Sequence, residues 1–167
     1  PWIKIGDVPS GGKYITSTAQ RVTRAGAAKS RRIRPGDFVL SNSMSFGRPY
    51  ISQIDGCIHD GWLAISDFHD SFVPDYLYFL LRSVPIQAEF ARRAGSGTVK
   101  NLNADIVKAV TVPVPSLREQ EQVVELLNKF DALVNDLSVG LPAELAARRK
   151  QYEFYRDKLL TFKECAA

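Results

Sequence analysis

Residues 116–162 read SLREQEQVVELLNKFDALVNDLSVGLPAELAARRKQYEFYRDKLLTF, and this stretch decides the fold class. It opens with an S-x-x-E capping box at Ser116 and Glu119, which is typical of a helix start. The apolar residues that follow are spaced alternately four and three residues apart, which predicts a coiled-coil seam. Pro142 interrupts the seam, because a proline inside a helix removes a hydrogen bond and clashes with the preceding turn. We therefore expect a long, coiled-coil-like helical arm that is kinked near Pro142.

The arm needs a cover for its apolar stripe, since a single helix has one apolar face that must meet another element. One alternative is that the arm folds back onto its own globular domain. The other, which the length of the seam favours, is that it pairs with a helix of another repeat or another chain. In that case the helix-partner interface consists of Val123, Leu127, Phe130, Val134, Leu137, Leu141, Leu145, Tyr152, Tyr155, Leu159 and Phe162.

The residues before the arm have a mixed pattern. Pro74, Pro85 and Asn103 indicate three helix starts, and Asp60-Gly61 indicates a hairpin. Short β-like runs occur at residues 2–5, 13–16, 20–23, 37–41, 50–54, 62–66 and 110–114. The predicted fold is α+β, with a small, mostly antiparallel β-sheet in a mixed α/β domain at residues 1–115, the arm at 116–162 and a tail at 163–167.

Length, apolar content and cysteine usage limit the classes of protein to which this chain can belong. The chain has 167 residues, of which 45% are apolar, enough for one compact core and an appendage. No apolar run is long enough to span a membrane. Cys57 and Cys165 are far apart in sequence, so we expect no disulfide framework and a cytoplasmic location. Because the chain begins with Pro1 and has Met44 as its only methionine, we expect a piece of a longer chain or a processed one.

Positive charge is concentrated in two blocks. Residues 1–50 contain nine Lys/Arg and two Asp/Glu, and residues 91–115 contain four and one. Between them, residues 51–90 contain one Arg and six acids. A fold that joins the two basic blocks would create the positive face that a polyanion-binding protein needs.

The sequence shows no motif that is typical of a catalytic site. Residues 95–98 lack the spacing and the lysine of a phosphate-binding P-loop. His59 and His69, together with the two cysteines, do not have the spacing of a zinc site. We therefore expect no catalytic residues, no metal and no cofactor bound by this chain, and a function in binding or assembly.

Three segments together resemble the specificity subunit of type I restriction–modification enzymes. RRIRPGDFVLSNSMSFGRPYI at residues 31–51 looks like that family's target-recognition domain. GTVKNLNADIVKAVTVPVPSLREQEQVVELLNKFDALV at residues 97–134 is similar to its helical spacer, and GLPAELAARRKQYEFYRDKLLTF at residues 140–162 looks like the end of that spacer. Residues 2–7 also match the usual start of a recognition domain.

The resemblance implies a non-catalytic subunit that reads one half of a split double-stranded DNA target. It implies that the helical arm docks methyltransferase subunits, which carry S-adenosylmethionine, and that restriction subunits using ATP and Mg join the larger complex. The family's full subunit has two recognition domains and two spacers, whereas this chain has one of each. Two copies are therefore expected to form a homodimer through the arm. The alternatives are a coiled-coil interaction module with an incidental basic face, or an inhibitory half-subunit.

The candidate DNA-binding residues fall into two groups. Those expected to contact phosphates are Lys13, Arg21, Arg24, Lys29, Arg31, Arg32, Arg92, Arg93 and Lys100. Those expected to read base edges are Ser41, Asn42, Ser43, Ser45, Arg48 and Asn101, with Tyr14 packing against a sugar or a methyl group.

Overall fold

The computed structural model describes residues 1–8, 11–42, 46–95, 101–136 and 142–161. The strands are short and precede most of the helices; they are β1 Trp2–Ile3, β2 Tyr14–Ile15, β3 Arg31–Ile33, β4 Phe38–Ser41, β5 Pro49–Ser52, β6 Gly56–Ile58 and β7 Trp62–Ile65. The helices are α1 Arg24–Ala28, α2 Pro74–Arg82, α3 Val84–Arg93, α4 Ala104–Lys108, α5 Leu117–Asp136 and α6 Pro142–Leu159, and a 3-10 turn occupies Ile5–Asp7. None of the helices in these ranges is long and apolar enough to cross a membrane.

The strands form two small sheets. The first has the order β1-β6-β3, with β1 parallel and β3 antiparallel to β6. The second has the order β2-β5-β4-β7, in which only β2 and β5 are parallel. The expected α+β class with mostly antiparallel β-structure is confirmed, although the strands are divided between two sheets.

Three local predictions about strands are wrong. Asp60-Gly61 forms a turn but no hairpin, because β6 pairs within the first sheet and β7 pairs with β4 in the second. Residues 20–23 contribute only the isolated bridge between Trp2 and Gln20. Residues 110–114 form no strand, since prolines lack the N–H that a ladder needs. Val110 and Val112 instead pack against the core.

The helix-start signals are confirmed. Pro74 lies in the first turn of α2, and the side chain of Asn103 accepts a hydrogen bond from the Ile106 amide at 2.9 Å. Ser116 Oγ accepts from the Glu119 amide while the Glu119 carboxylate accepts from the Ser116 amide, as a capping box requires. The expected division of the arm near Pro142 is also confirmed, because α5 ends at Asp136 and α6 begins at Pro142.

Helix α2 is the centre of the larger core. Six consecutive residues, 76–81, are buried, so the helix is covered on all sides. Its neighbours in the cluster come from the second sheet and from the arm, including Phe38, Leu127 and Leu160. A smaller cluster around Ile3, Ile33 and Trp62 joins the two sheets.

The arm is folded back onto its own chain. Leu127 is 0% exposed and belongs to the larger core, and Val123, Tyr152 and Leu159 pack against the same cluster. Gln120 is buried at the start of α5, where its Nε2 donates to Ser71 O and Pro115 O and its Oε1 accepts from Val73 N, all at 2.8 Å. This part of the apolar stripe is therefore covered within the chain.

The expectation that the whole stripe faces a partner helix is corrected accordingly. Leu127 has no surface left for a partner, because α2 provides an apolar cover inside the same chain. Phe130 and Leu145 are half-buried, and Tyr155 is 38% exposed. Leu137, Leu141 and Phe162, and the side chain of Val134, lie outside the described part of the chain.

Candidate nucleic-acid interface

Two turns lie at the same end of the second sheet. Ser41, the last residue of β4, pairs with Trp62, the first residue of β7. Leu40 pairs with Pro49, the first residue of β5. Asn42, which leaves β4, and residues 59–61, which enter β7, are therefore adjacent, at the same end of the sheet as the start of β5.

Asn42 links these turns to a third segment. Its Nδ2 donates to Asp60 O at 2.7 Å, and its backbone N–H donates to Gly61 O at 3.1 Å. Its backbone carbonyl accepts from Leu102 N at 2.8 Å, which places Asn101 beside the two turns. We call the group formed by Asn42, Arg48, His59, Asp60 and Asn101 the loop-end surface. Its two asparagines carry the side-chain amides that read adenine edges in DNA.

Basic side chains adjoin this surface. Lys29 and Arg31 line a pocket of about 340 Å³ with His59, Asp60 and the two tryptophans, Trp2 and Trp62. His59 Nδ1 accepts a hydrogen bond from the Gly61 amide at 2.9 Å, so the neutral ring carries its proton on Nε2 and presents a donor there. Lys29, Arg31 and His59 are all exposed. The pocket thus offers several donors to an anionic ligand.

Neighbouring arginines of β3 face opposite sides of the first sheet, because successive side chains of a strand alternate. Arg31 lines the pocket with Lys29, whereas Arg32 lines a different pocket with Arg24 and Asp55. Arg32 Nη2 lies 3.4 Å from Asp55 Oδ1 in an exposed ion pair. The fold therefore brings Lys29 and Arg31 to the loop-end surface and places Arg24 and Arg32 elsewhere. Arg21, just before α1, is exposed.

Lys13 has a partner inside the fold. Its Nζ lies 2.6 Å from Asp75 Oδ1 and 4.7 Å from the centroid of the Tyr78 ring. The Tyr14 ring, which is 38% exposed, lies 5.3 Å from the same ammonium. Lys13 is therefore better explained as a structural ion-pair partner than as a phosphate contact, since breaking this pair would leave Asp75 uncompensated.

Arg92 and Arg93 share one carboxylate. Both guanidinium groups hydrogen-bond Glu89, with contacts of 2.7 Å from each. Hydrogen bonds from Arg92, which has the larger effect, and from Arg93 lower the pKa of the Glu89 carboxyl to about 2. The pair therefore presents less net positive charge than the sequence suggests.

Ser41 is a correction among the base-reading candidates. It is buried, and its Oγ accepts from the Arg48 amide at 3.2 Å. This side chain supports the turn. Ser43, Ser45 and Lys100 lie outside the described residues.

Two polar residues, His59 at a turn and Arg82 at the end of α2, were not among the sequence candidates. His59 enters the sequence prediction only as a rejected zinc ligand, although its position directly before Asp60-Gly61 indicates that it flanks a turn. Arg82 is the only basic residue among residues 51–90. Because that block is acidic as a whole, its net charge gives no indication that Arg82 could bind DNA. Arg82 lines a pocket with Arg48.

Comparison with known proteins relates the chain to DNA specificity proteins. The family model described as "Type I restriction modification DNA specificity domain" matches residues 1–147. The specificity subunit of the type I restriction enzyme EcoR124I/EcoR124II from Escherichia coli is 36% identical over 94 residues, covering 56% of this chain and 23% of that protein. The EcoprrI specificity subunit from Escherichia coli is 26% identical over 175 residues, covering 98% of this chain and 43% of that protein. The chain spans less than half the length of these relatives.

Two solved structures share the fold. The HsdS subunit from Thermoanaerobacter tengcongensis matches with a TM-score of 0.64 at 20% identity, over 81% of this chain and 36% of that one. A structure described as explaining complex assembly and conformational transition of the type I R-M system matches with a TM-score of 0.56 at 22% identity, over 78% of this chain and 32% of that one.

Proposed function

The chain belongs to the type I restriction–modification DNA specificity family, and on that premise we propose that it reads one half of a split target in double-stranded DNA. The observation that carries the proposal is the loop-end surface. There Asn42 and Asn101 are brought together by the Leu102–Asn42 backbone hydrogen bond, next to the pocket that contains Lys29 and Arg31. Amides beside cations supply the two kinds of contact that sequence-specific binding needs.

The two kinds of contact have different roles in the proposal. Lys29 and Arg31 contact phosphates and supply affinity that depends on salt but not on sequence. Asn42 and Asn101 contact base edges and supply discrimination. Asn42 has one hydrogen bond from its amide nitrogen to Asp60 O, which fixes the orientation of its side chain.

The arm's role is assembly. Helices α5 and α6 keep part of their apolar surface exposed, with Leu126 at 40% and Phe154 at 62%. Exposed apolar surface of this kind supports a docking role, and we assign it to methyltransferase subunits and to a second recognition unit, including a second copy of this chain. Catalysis, with S-adenosylmethionine, ATP and Mg, is assigned to the partner subunits.

An interaction module without DNA binding, including a half-subunit that inhibits assembly, is the second candidate. The exposed apolar residues of the arm, Leu126, Phe154 and Tyr155, favour it, because docking through them does not require DNA.

Selection of bound sequences from a random duplex library tests the DNA-reading proposal. The full chain should bind duplex at low salt and enrich one short motif, either alone or with a cognate methyltransferase. Asn101→Ala should relax the preference at one position of that motif, and Lys29→Ala should weaken binding equally for all sequences. Asn128→Ala, at an exposed position of α5, is the matched control and should change neither property.

The two candidates give opposite outcomes in this experiment. Failure of the wild-type chain to bind any duplex at low salt, with and without the methyltransferase, would refute the DNA-reading proposal and leave the interaction module. Enrichment of a motif that is unchanged by Asn42→Ala and Asn101→Ala would show that the reading residues lie elsewhere.

A further inference from the structure

A second pocket beside the β4–β5 turn brings two arginines together. It is lined by Phe46, Arg48, Pro49, Arg82 and Gln87 and has a volume of about 430 Å³, more than a single water molecule requires. Its lining contains two positive charges and no carboxylate. Within the described ranges of the chain, neither arginine forms an ion pair.

Both guanidinium groups are held against buried tyrosines. Arg82 Cζ lies 5.1 Å from the Tyr78 ring centroid, and its Nη1 donates to Tyr78 Oη at 2.8 Å. Arg48 Cζ lies 5.6 Å from the ring centroid of Tyr50. Tyr50 and Tyr78 are each 3% exposed, so both supports are part of the rigid core. A guanidinium group has five N–H donors, so Arg82 keeps four after its bond to Tyr78, and the contact of Arg48 with the Tyr50 ring uses none.

One side chain fixes the backbone next to both arginines. Gln87 Nε2 donates to Gly47 O at 3.0 Å and to Leu81 O at 2.6 Å. Gly47 directly precedes Arg48 in the chain, and Leu81 directly precedes Arg82. Gly47 has a φ of +67°, and a Cβ there would lie 3.2 Å from Gln87 Oε1. The amide of Gln87 therefore sets the distance between the turn and the end of α2.

We propose that Arg48 and Arg82 together bind one phosphate of the DNA backbone. This inference rests on the proposed DNA-reading function and gives Arg48 a phosphate role in place of the base-reading role that its sequence context suggests. Two cations held in one pocket repel each other, and a bound anion removes that repulsion. A phosphate offers acceptors to both guanidinium groups, whereas the O6 and N7 atoms of a guanine are satisfied by a single arginine.

The salt dependence of DNA binding tests the proposal. The full chain and its variants are titrated against two labelled duplexes of unrelated sequence at a series of salt concentrations. Loss of one phosphate contact lowers the slope of log affinity against log salt by ~0.9. The double variant Arg48→Gln/Arg82→Gln should show this decrease on both duplexes. A fourfold rise in salt would then cost the wild type about 3.5-fold more affinity than the double variant.

A shared phosphate makes the two substitutions non-additive. Each single variant should lower the slope, and the double variant should lower it by one contact and not by two. Arg48→Lys and Arg82→Lys keep the charge and should retain most of the slope, because lysine binds phosphate as a point charge. Arg118→Gln is the matched control. It removes one exposed charge from the first turn of α5, which is anchored at the start of α2 through Gln120 and Val73, at the opposite end from Arg82.

The outcomes separate this inference from the function on which it rests. A wild-type chain that binds DNA and a folded double variant with an unchanged slope would overturn the shared phosphate and leave the DNA-reading function standing. Additive decreases would overturn it as well, in favour of two separate phosphates. A changed sequence preference in either Lys variant would assign that arginine to a base. A wild-type chain that does not bind duplex at low salt would overturn both proposals.

Folding of the variants is checked by thermal melting, because Arg82→Gln also removes the hydrogen bond to Tyr78. If Arg82→Gln does not fold, Arg48→Gln decides the test by itself. A lower slope on both duplexes supports the phosphate assignment, and an unchanged slope overturns it.

Discussion

The Phe130 ring of α5 stacks on the Tyr155 ring of α6, with centroids 5.9 Å apart and planes within 2° of parallel. This contact joins the two helices of the arm, 12 residues before Pro142 on α5 and 13 residues after it on α6. Leu127 lies one turn before Phe130 and is fully buried in the core, so the stack adjoins the covered part of the apolar stripe.

Phe130→Ala should destabilise the arm, and the effect should depend on Tyr155. Offset aromatic pairs contribute about 0.5–1.5 kcal/mol beyond the area they bury. A double-mutant cycle with Phe130→Ala and Tyr155→Ala, measured by urea denaturation, should therefore give a coupling energy of about that size. A coupling energy near zero would show that the rings do not interact in solution.

Leu127→Ala should lower the free energy of unfolding by about 2–5 kcal/mol, as expected for a leucine removed from a packed core. Leu126→Ala, at the neighbouring 40% exposed position, is the control and should change stability by less than about 0.5 kcal/mol. The loss at Leu127 should be the same at low and high protein concentration, because its cover comes from the same chain. A loss that appears only where the protein dimerises would restore the view that Leu127 belongs to an interface between chains.

Local chemistry explains which elements were predictable. Helix starts at Pro74, Asn103 and Ser116 depend on a few adjacent residues, and all three are observed. The parallel pairing of β1 with β6 was not predictable, because strands of two and three residues show no alternation and their registers depend on partners such as Trp2 and Cys57, far apart in sequence. The spacing of the arm predicted an apolar face correctly. It carried no information about what covers that face.

The candidate site was predictable in the same limited way. Residue type and charge identified Asn42, Asn101, Lys29 and Arg31 as candidates one by one. Their proximity depends on a backbone hydrogen bond from Leu102 to Asn42 and on strand alternation, which sequence patterns in strands this short do not reveal. Counting charges along the sequence also overestimated the positive charge that Arg92 and Arg93 present, because it does not show that Glu89 binds both.

The Glu89 cluster should make a small contribution to stability that depends on pH. The hydrogen bonds from Arg92 and Arg93 lower the pKa of Glu89 from 4.5 to about 2. A carboxyl whose pKa is lower in the folded state stabilises the fold above its unfolded pKa, and that stabilisation is lost as the pH falls through the folded pKa. Thermal melting of the wild type and Glu89→Gln should therefore differ near neutral pH and converge between pH 4.5 and about pH 2.

The difference in melting temperature between the wild type and Glu89→Gln should also decrease in high salt, since the cluster is exposed and surface ion pairs are screened. Glu153→Gln, at an exposed position of α6, serves as the control. A Glu89→Gln effect that stays constant from neutral pH to pH 2 would contradict the ion cluster in the folded protein.

Arg31→Ala should weaken DNA binding more than Arg32→Ala, although the two residues are adjacent in sequence. Arg31 lines the pocket beside the loop-end surface with Lys29, whereas Arg32 faces the other side of the first sheet and pairs with Asp55. Each variant removes one positive charge from the same exposed strand, so each controls for the other in net charge. In fluorescence anisotropy, Arg31→Ala should lower the salt slope by ~0.9 and Arg32→Ala should leave it close to the wild-type value. Equal losses would mean that binding responds to overall charge, and a larger loss at Arg32 would place the DNA on the opposite side of the sheet.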